Sequence, residues 1–174
     1  DFYNDEDNDV IMIKHSLRKF HAPRQNVAEK RALPLEVIRR IFALSYDNKI
    51  IKGMQSRHDL ALDCFRLSFC LMGMNSTDMF SASVLNGSTI VYKRNKTKDR
   101  RSDGAEMQVI VPKQIKALFE KYKDRTGERV FNFHKRFSSP ESFNRAINLG
   151  LKEVADDLGL DGLQFYSARH SMAT

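Results

Sequence analysis

Cysteine is scarce in this chain: Cys64 and Cys70 are the two it has. Six residues apart on one helix, their side chains point in quite different directions, which argues against a disulfide. Neither a Cys-x-x-Cys pair nor a Cys/His cluster is present, so no structural zinc site is expected and no metal is assigned. Two buried free thiols suit a reducing, cytosolic setting. Long apolar runs are missing too. The longest fall far short of a bilayer span and no signal-peptide pattern opens the chain, so no membrane partner is expected. There is no internal repeat and no low-complexity tract. The first residue is Asp1 rather than Met, and the chain is expected to be a fragment.

What is present describes one globular unit. A hydrophobic fraction of 41% in 174 residues is ample for one packed core. The net charge of +7 is unevenly placed. Residues 1–9 hold five acids (Asp1, Asp5, Glu6, Asp7 and Asp9) and no Lys or Arg, leaving 29 basic residues against 17 acids, a net of +12, in the rest. Such an excess points to a polyanion, nucleic acid above all. The competing explanation is a surface charged only for solubility.

Residues 1–24 turn from acidic to basic (Lys14, His15, Arg18, Lys19) and read as a linker out of a preceding domain. A first helix is predicted from about Pro34, with Val37, Ile38, Ile41, Phe42 and Leu44 at helical spacing. A second, from Arg57 to Met72, is apolar nearly all round from Ala61 onward, the mark of a buried central helix, and Gly73 closes it. Ser76 is the expected cap of a short third helix. From Ser88, TIVYKR and AEMQVIVP read as two strands joined by a polar turn containing Asp103-Gly104, and Pro112 ends the second. An amphipathic helix with Ile115, Leu118, Phe119 and Tyr122 follows. Ser138 and Glu141 have capping-box spacing for the next helix, whose core face is Phe143, Ala146, Ile147, Leu151, Val154 and Leu158. Gly159 stops it, and QFYSARHSMAT opens a last helix. The expected class is mainly α with a small β-hairpin, α+β.

Three clusters carry chemistry. YKRNKTKDRR holds Lys93, Arg94, Lys96, Lys98, Arg100 and Arg101. Alternation along a strand puts Arg94, Lys96 and Lys98 on one face, where they suit a phosphate backbone, although a solvated hairpin tip has the same composition. Tyr166 and Arg169 stand three apart at a helix start, so a phenol and a guanidinium share one face and suit two oxygens of one phosphate. A core-edge Tyr beside a salt-bridged Arg is the plainer reading. GMNSTD, residues 73–78, is a polar turn at the exit of the most buried helix.

In this order the pieces resemble the catalytic domain of the tyrosine recombinases, and in flavour the integrases of conjugative and integrative elements of Bacteroides-type bacteria. GMNSTD stands at the family's Gly-hydrophobic-Arg turn, KRNKTK at its hairpin lysine, and YSARHSMAT at its His-x-x-Arg-His box. KRALPLEVIRRIF resembles the domain's start. DFYNDEDNDVIMIKHSLRKF resembles the segment from a core-binding domain, which sets the boundaries at 1–24 and 25–174. The resemblance implies that Arg169 binds the scissile phosphate, that Lys96 protonates the departing 5′ oxygen, that Tyr166 donates where His is commoner, and that Asp78 steadies the site. Lys93, Arg94, Lys98, Arg100, Arg101, His170, Lys14 and Arg18 are the implied DNA contacts. The implied partners are duplex attachment sites and further copies in a tetramer on DNA, in a bacterial cytoplasm, with neither metal nor ATP as cofactor.

Two departures stand out. Asn75 replaces the family's first arginine and cannot fork onto phosphate. Arg66 is the candidate substitute, because a charge in an apolar helix needs a reason, although pairing with Asp63 supplies another. The chain also stops before the family's late His or Trp and its nucleophilic tyrosine, since none of Tyr3, Tyr46, Tyr92, Tyr122 or Tyr166 takes the nucleophile's place. This fragment alone is therefore expected to be inactive. The alternative function is a DNA-binding module of the same fold that has lost catalysis and serves as an excision or regulatory factor. A basic RNA-binding domain would interleave aromatics with the hairpin cations, where only Tyr92 stands.

Overall fold

The computed structural model describes residues 4–5, 10–11, 32–95 and 104–173. Its elements are helices and a small antiparallel sheet, an α+β arrangement. Two short strands, β1 (Asn4–Asp5) and β2 (Val10–Ile11), pair within the segment read as a linker. Lys14 and Arg18 lie outside the described residues.

Helix α1 spans Leu35–Ala43, directly after Pro34, and buries Ile38 and Ile41, while Phe42 stays 37% exposed. A tight hairpin of β3 (Ile50–Ile51) and β4 (Met54–Gln55), absent from the sequence reading, leads into α2 (Arg57–Cys70). Ser56 caps α2 by accepting the Asp59 N–H at 3.2 Å. The helix ends at Cys70 rather than Met72, and Met72 and Gly73 then both take positive φ. Cys64 is buried and Cys70 half-buried, both as free thiols, so one of the two expected buried thiols is nearer the surface.

Helix α3 is Ser76–Ser81, and its cap lies one residue earlier than expected: Asn75 accepts the Ser76 N–H, and Ser76 is already helical. The sheet has three strands rather than two, β5 (Val84–Asn86), β6 (Thr89–Lys93) and β7 (Glu106–Ile110), in that order. A 3-10 turn, Lys113–Ile115, runs into α4 (Lys116–Tyr122). Helix α5 (Pro140–Leu158) is capped reciprocally by Ser139 and Ser142, not by Ser138 and Glu141, and Gly159 ends it at φ 62°. Ala146, expected in the core, is half-buried, whereas Gly150 and Ala155 are buried. Helix α6 is Phe165–Met172.

The core is built on α2, which packs against α5 and α6. Phe131, Phe133 and Phe143 stack in sequence, with ring centroids 5.5 and 4.4 Å apart, and each such pair contributes about 0.5–1.5 kcal/mol beyond its burial. Among the described residues, no helix is long and apolar enough to cross a membrane.

Candidate functional site

The site starts where α2 stops. Gly73 N–H donates to Ser68 O at 2.8 Å, and the Ser68 hydroxyl donates to Met74 O at 2.8 Å, so one serine turns the chain sharply. Glycine is required at 73 on two counts. Its φ is +68°, and a Cβ there would lie 2.8 Å from both Cα and Cγ of Arg169. Helix α6 lays Arg169 across that bare backbone, and the guanidinium donates to Gly73 O at 3.0 Å. One of its five N–H donors is thereby placed.

That turn carries Asn75 and Asp78. The Asn75 side-chain oxygen is turned onto its own helix start, accepting the Ser76 N–H at 2.8 Å. Asp78 is buried, and its Oδ1 accepts the backbone N–H of Asn95 at 3.0 Å and its side-chain amide at 3.2 Å. The acidic residue thus ties α3 to the end of β6, one residue before Lys96. A cavity of about 400 Å³ opens at this junction, lined among others by Asp78, Tyr92, Lys93, Asn95 and Glu106. Burial, with the Asp78 charge behind it, holds the Tyr92 phenol above its usual value, while Arg169 and Arg94 pull it back down.

The structure therefore gathers Arg169, Asn75 and Asp78 around the α2–α3 turn, and Asp78 holds Asn95, the residue after Arg94. Lys93 is exposed on β6. Lys96, Lys98, Arg100 and Arg101 lie outside the described residues. Tyr166 is half-buried and packs edge-on against His170, one of the implied DNA contacts, ring centroids 4.6 Å apart. Arg66 is elsewhere: its guanidinium donates to the carbonyls of Ile41, Phe42 and Leu44 at 3.1, 3.0 and 2.7 Å, closing the C-terminal end of α1. Neither expectation for it holds, substitute cation or Asp63 partner. Asp63 accepts instead from Tyr122 Oη at 2.6 Å, Lys121 Nζ at 2.7 Å and Gln55 Nε2 at 3.2 Å, and from Tyr46 Oη.

Sequence reasoning missed two asparagines that set the site's geometry. Asn144 accepts the Ser76 hydroxyl at 2.8 Å, and Asn148 accepts the Phe165 N–H at 3.0 Å, while the Asn148 amide donates to Asn144. One face of α5 thus links the first turn of α3 to the first turn of α6. The available signal was their i, i+4 spacing in a helix otherwise read for its apolar face.

Asp47, His58 and Asp59 bring ligand atoms within 4.8 Å of one another. Their oxygens are engaged, however. Asp59 accepts the N–H groups of Asp47 and Asn48 and faces His58 Nδ1 at 2.8 Å, and Asp47 accepts from Lys49 N–H and Ser56 Oγ. The cluster serves as a cap for α2 and the loop before it. Compared with protein-family models, curated proteins and solved structures, the chain matches none.

Proposed function

We propose that this chain is most of the catalytic domain of a tyrosine-recombinase-type integrase, which cuts and rejoins duplex DNA through a 3′-phosphotyrosyl intermediate. The observation that carries this reading is the seat of Arg169. Helix α6, the α2–α3 turn and the end of β6 are far apart in sequence, yet they meet around Gly73, Asp78 and Asn95. That is where the resemblance needs the phosphate-binding arginine, the supporting acid and the approach of the hairpin lysine.

The chemistry follows from charge. Attack of a tyrosine hydroxyl on a phosphodiester builds negative charge on the non-bridging oxygens as the bond to the 5′ oxygen breaks. A guanidinium fixed beforehand stabilises that charge without reorganising. Lys96 gives a proton to the departing oxygen, and the covalent phosphotyrosine keeps the bond energy for rejoining. Among the described tyrosines, Tyr46 and Tyr122 are bonded to Asp63, Tyr92 is buried, and Tyr166 packs on His170. None is the nucleophile in this proposal. Partners would be double-stranded DNA and further copies of the full protein assembled on it.

One observation favours the second reading, a DNA-binding module that has lost catalysis: Asn75 is neutral, and its oxygen is spent on Ser76. Arg169→Ala in the full-length protein separates the two. As an enzyme it should lose at least about a hundredfold in recombination, with duplex affinity little changed, because one phosphate contact among many adds little to ground-state binding. Recombination near the parent rate would remove Arg169 from the active site.

A further inference from the structure

With Asn75 turned onto Ser76 and Arg66 closing α1, Arg169 stands without the second guanidinium that a doubly charged phosphate transition state calls for. Strand β6 offers one. Its buried residues alternate, Ile90 and Tyr92 facing the core while Lys93 is exposed. Arg94 is two residues beyond Tyr92 and so leaves the strand on the same side. The pairing carries one residue past the strand ends, since β6–β7 runs to Lys93–Glu106 and Arg94 N–H then donates to Ala105 O at 3.1 Å. Ala105, opposite, is 6% exposed, so this end of the sheet is covered on that face. Arg94 and Arg169 are both half-buried. The one buried carboxylate nearby, Asp78, already accepts two N–H groups of Asn95 on Oδ1.

We propose that Arg94 and Arg169 are the two halves of one phosphate-binding site. Arg94 is then the cation that stands in for the arginine missing at Asn75, delivered from the sheet instead of from the helix turn. The influence of both guanidiniums on the Tyr92 phenol agrees with this placement. Each guanidinium is a planar fork matched to two phosphate oxygens, and two forks at an angle cover the non-bridging oxygens of one diester. The identity of the anion as a DNA phosphodiester rests on the integrase reading; the site itself rests on the strand register and on the seat of Arg169.

The test is a titration of the 174-residue chain with inorganic phosphate, following the side-chain Nε–H signals of arginine by NMR. Arg94 and Arg169 should move along one saturation curve. Arg94→Gln and Arg169→Gln should each weaken phosphate binding about tenfold, and Arg94→Lys, which keeps the charge but not the fork, should weaken it less. Lys152→Gln, an exposed change on α5 of the same charge, should leave it unaltered. Should Arg94→Gln fail to fold, Arg94→Lys and the parent signals still decide. An Arg94 signal that stays put while Arg169 moves, or an Arg94→Gln variant that binds like the parent, overturns the shared site. Duplex binding measured on the same samples keeps the two ideas apart. Salt-sensitive DNA binding with a flat phosphate titration sinks this site alone. An intact phosphate site in a chain that ignores DNA sinks the integrase reading.

Discussion

Asp63 is fully buried in the most apolar helix, and at the residue scale it organises a corner of the core. A buried carboxylate is tolerable only when its lone pairs are filled, and here two phenols, one ammonium and one amide fill them. The sequence showed that charges inside α2 needed a reason, but not which. Arg66 and Asp63 stand three apart, and the pairing that spacing suggests is not made, because each finds better partners on other elements. Arg66 reaches the open carbonyls at the end of α1, and Asp63 reaches across to α4. Which partners win depends on the tertiary path, and no local pattern encodes it. A consequence concerns alkaline pH. Burial first, then the hydrogen bond to Asp63, pushes the Tyr46 phenol up to about 12 from 10.0. The folded chain therefore holds this proton more tightly than the unfolded one. The stabilisation is complete below pH 10 and is lost as pH climbs from 10 towards 12. Urea midpoints should accordingly fall between pH 9 and pH 11. Tyr46→Phe should show a smaller fall, and an equal fall in both proteins would mean that Tyr46 does not contribute.

At the scale of elements, period and composition carried most of the information. Among the described residues, α1, α2, α4 and α5 stand where apolar spacing put them, α3 and α6 follow the cap and the motif that announced them, and Gly159 and Pro112 stop what they were expected to stop. The errors have physical causes. Four serine and asparagine residues, Asn75, Ser76, Ser138 and Ser139, compete for two caps, and a side chain caps only if its own backbone is extended. Asn75 and Ser139 meet that condition, so each cap sits one residue from the expected serine. Strand β5 has three residues and β3 and β4 two each, too short for alternation to register. Gly150 drew no notice in the sequence, because a residue without a side chain adds nothing to an apolar face, yet there the α5 backbone comes close to α2. A Cβ there would lie 2.0 Å from Arg57 O and 2.7 Å from Ala61 Cβ. Two effects oppose each other in Gly150→Ala. Helix propensity favours alanine by about 1 kcal/mol. Forcing a methyl against a backbone carbonyl moves one helix away from the other across the most extensively packed interface of the core, at a cost of about 3 kcal/mol. The clash should win, giving a net loss of about 2 kcal/mol in chemical denaturation. A variant as stable as the parent would mean that α5 and α2 are not in this contact.

The whole molecule is where the sequence said least about geometry and most about charge. That the α2–α3 turn, the residues after β6 and α6 meet was expected from a resemblance, not from any spacing within the chain. The distances joining them run through Gly73, Asn144 and Asn148, positions whose roles exist only after folding. The charge asymmetry, by contrast, is a property of the sequence itself. Five acids lie within residues 1–9, and the rest of the chain carries a net of +12. A body of that charge binding duplex DNA through phosphates releases condensed counterions, so log affinity should fall linearly with log salt at a slope of about −0.9 per phosphate neutralised. Even four contacts, fewer than the hairpin cations alone, give a slope steeper than about −3. Fluorescence anisotropy on an arbitrary duplex of about 20 base pairs should follow that line, since phosphate contacts carry no sequence information. Solubilising charge with no binding role predicts something different, a weak affinity without a defined slope. A binding constant unchanged between about 50 and 200 mM salt would leave the basic excess as surface solvation and remove the electrostatic basis for a DNA partner.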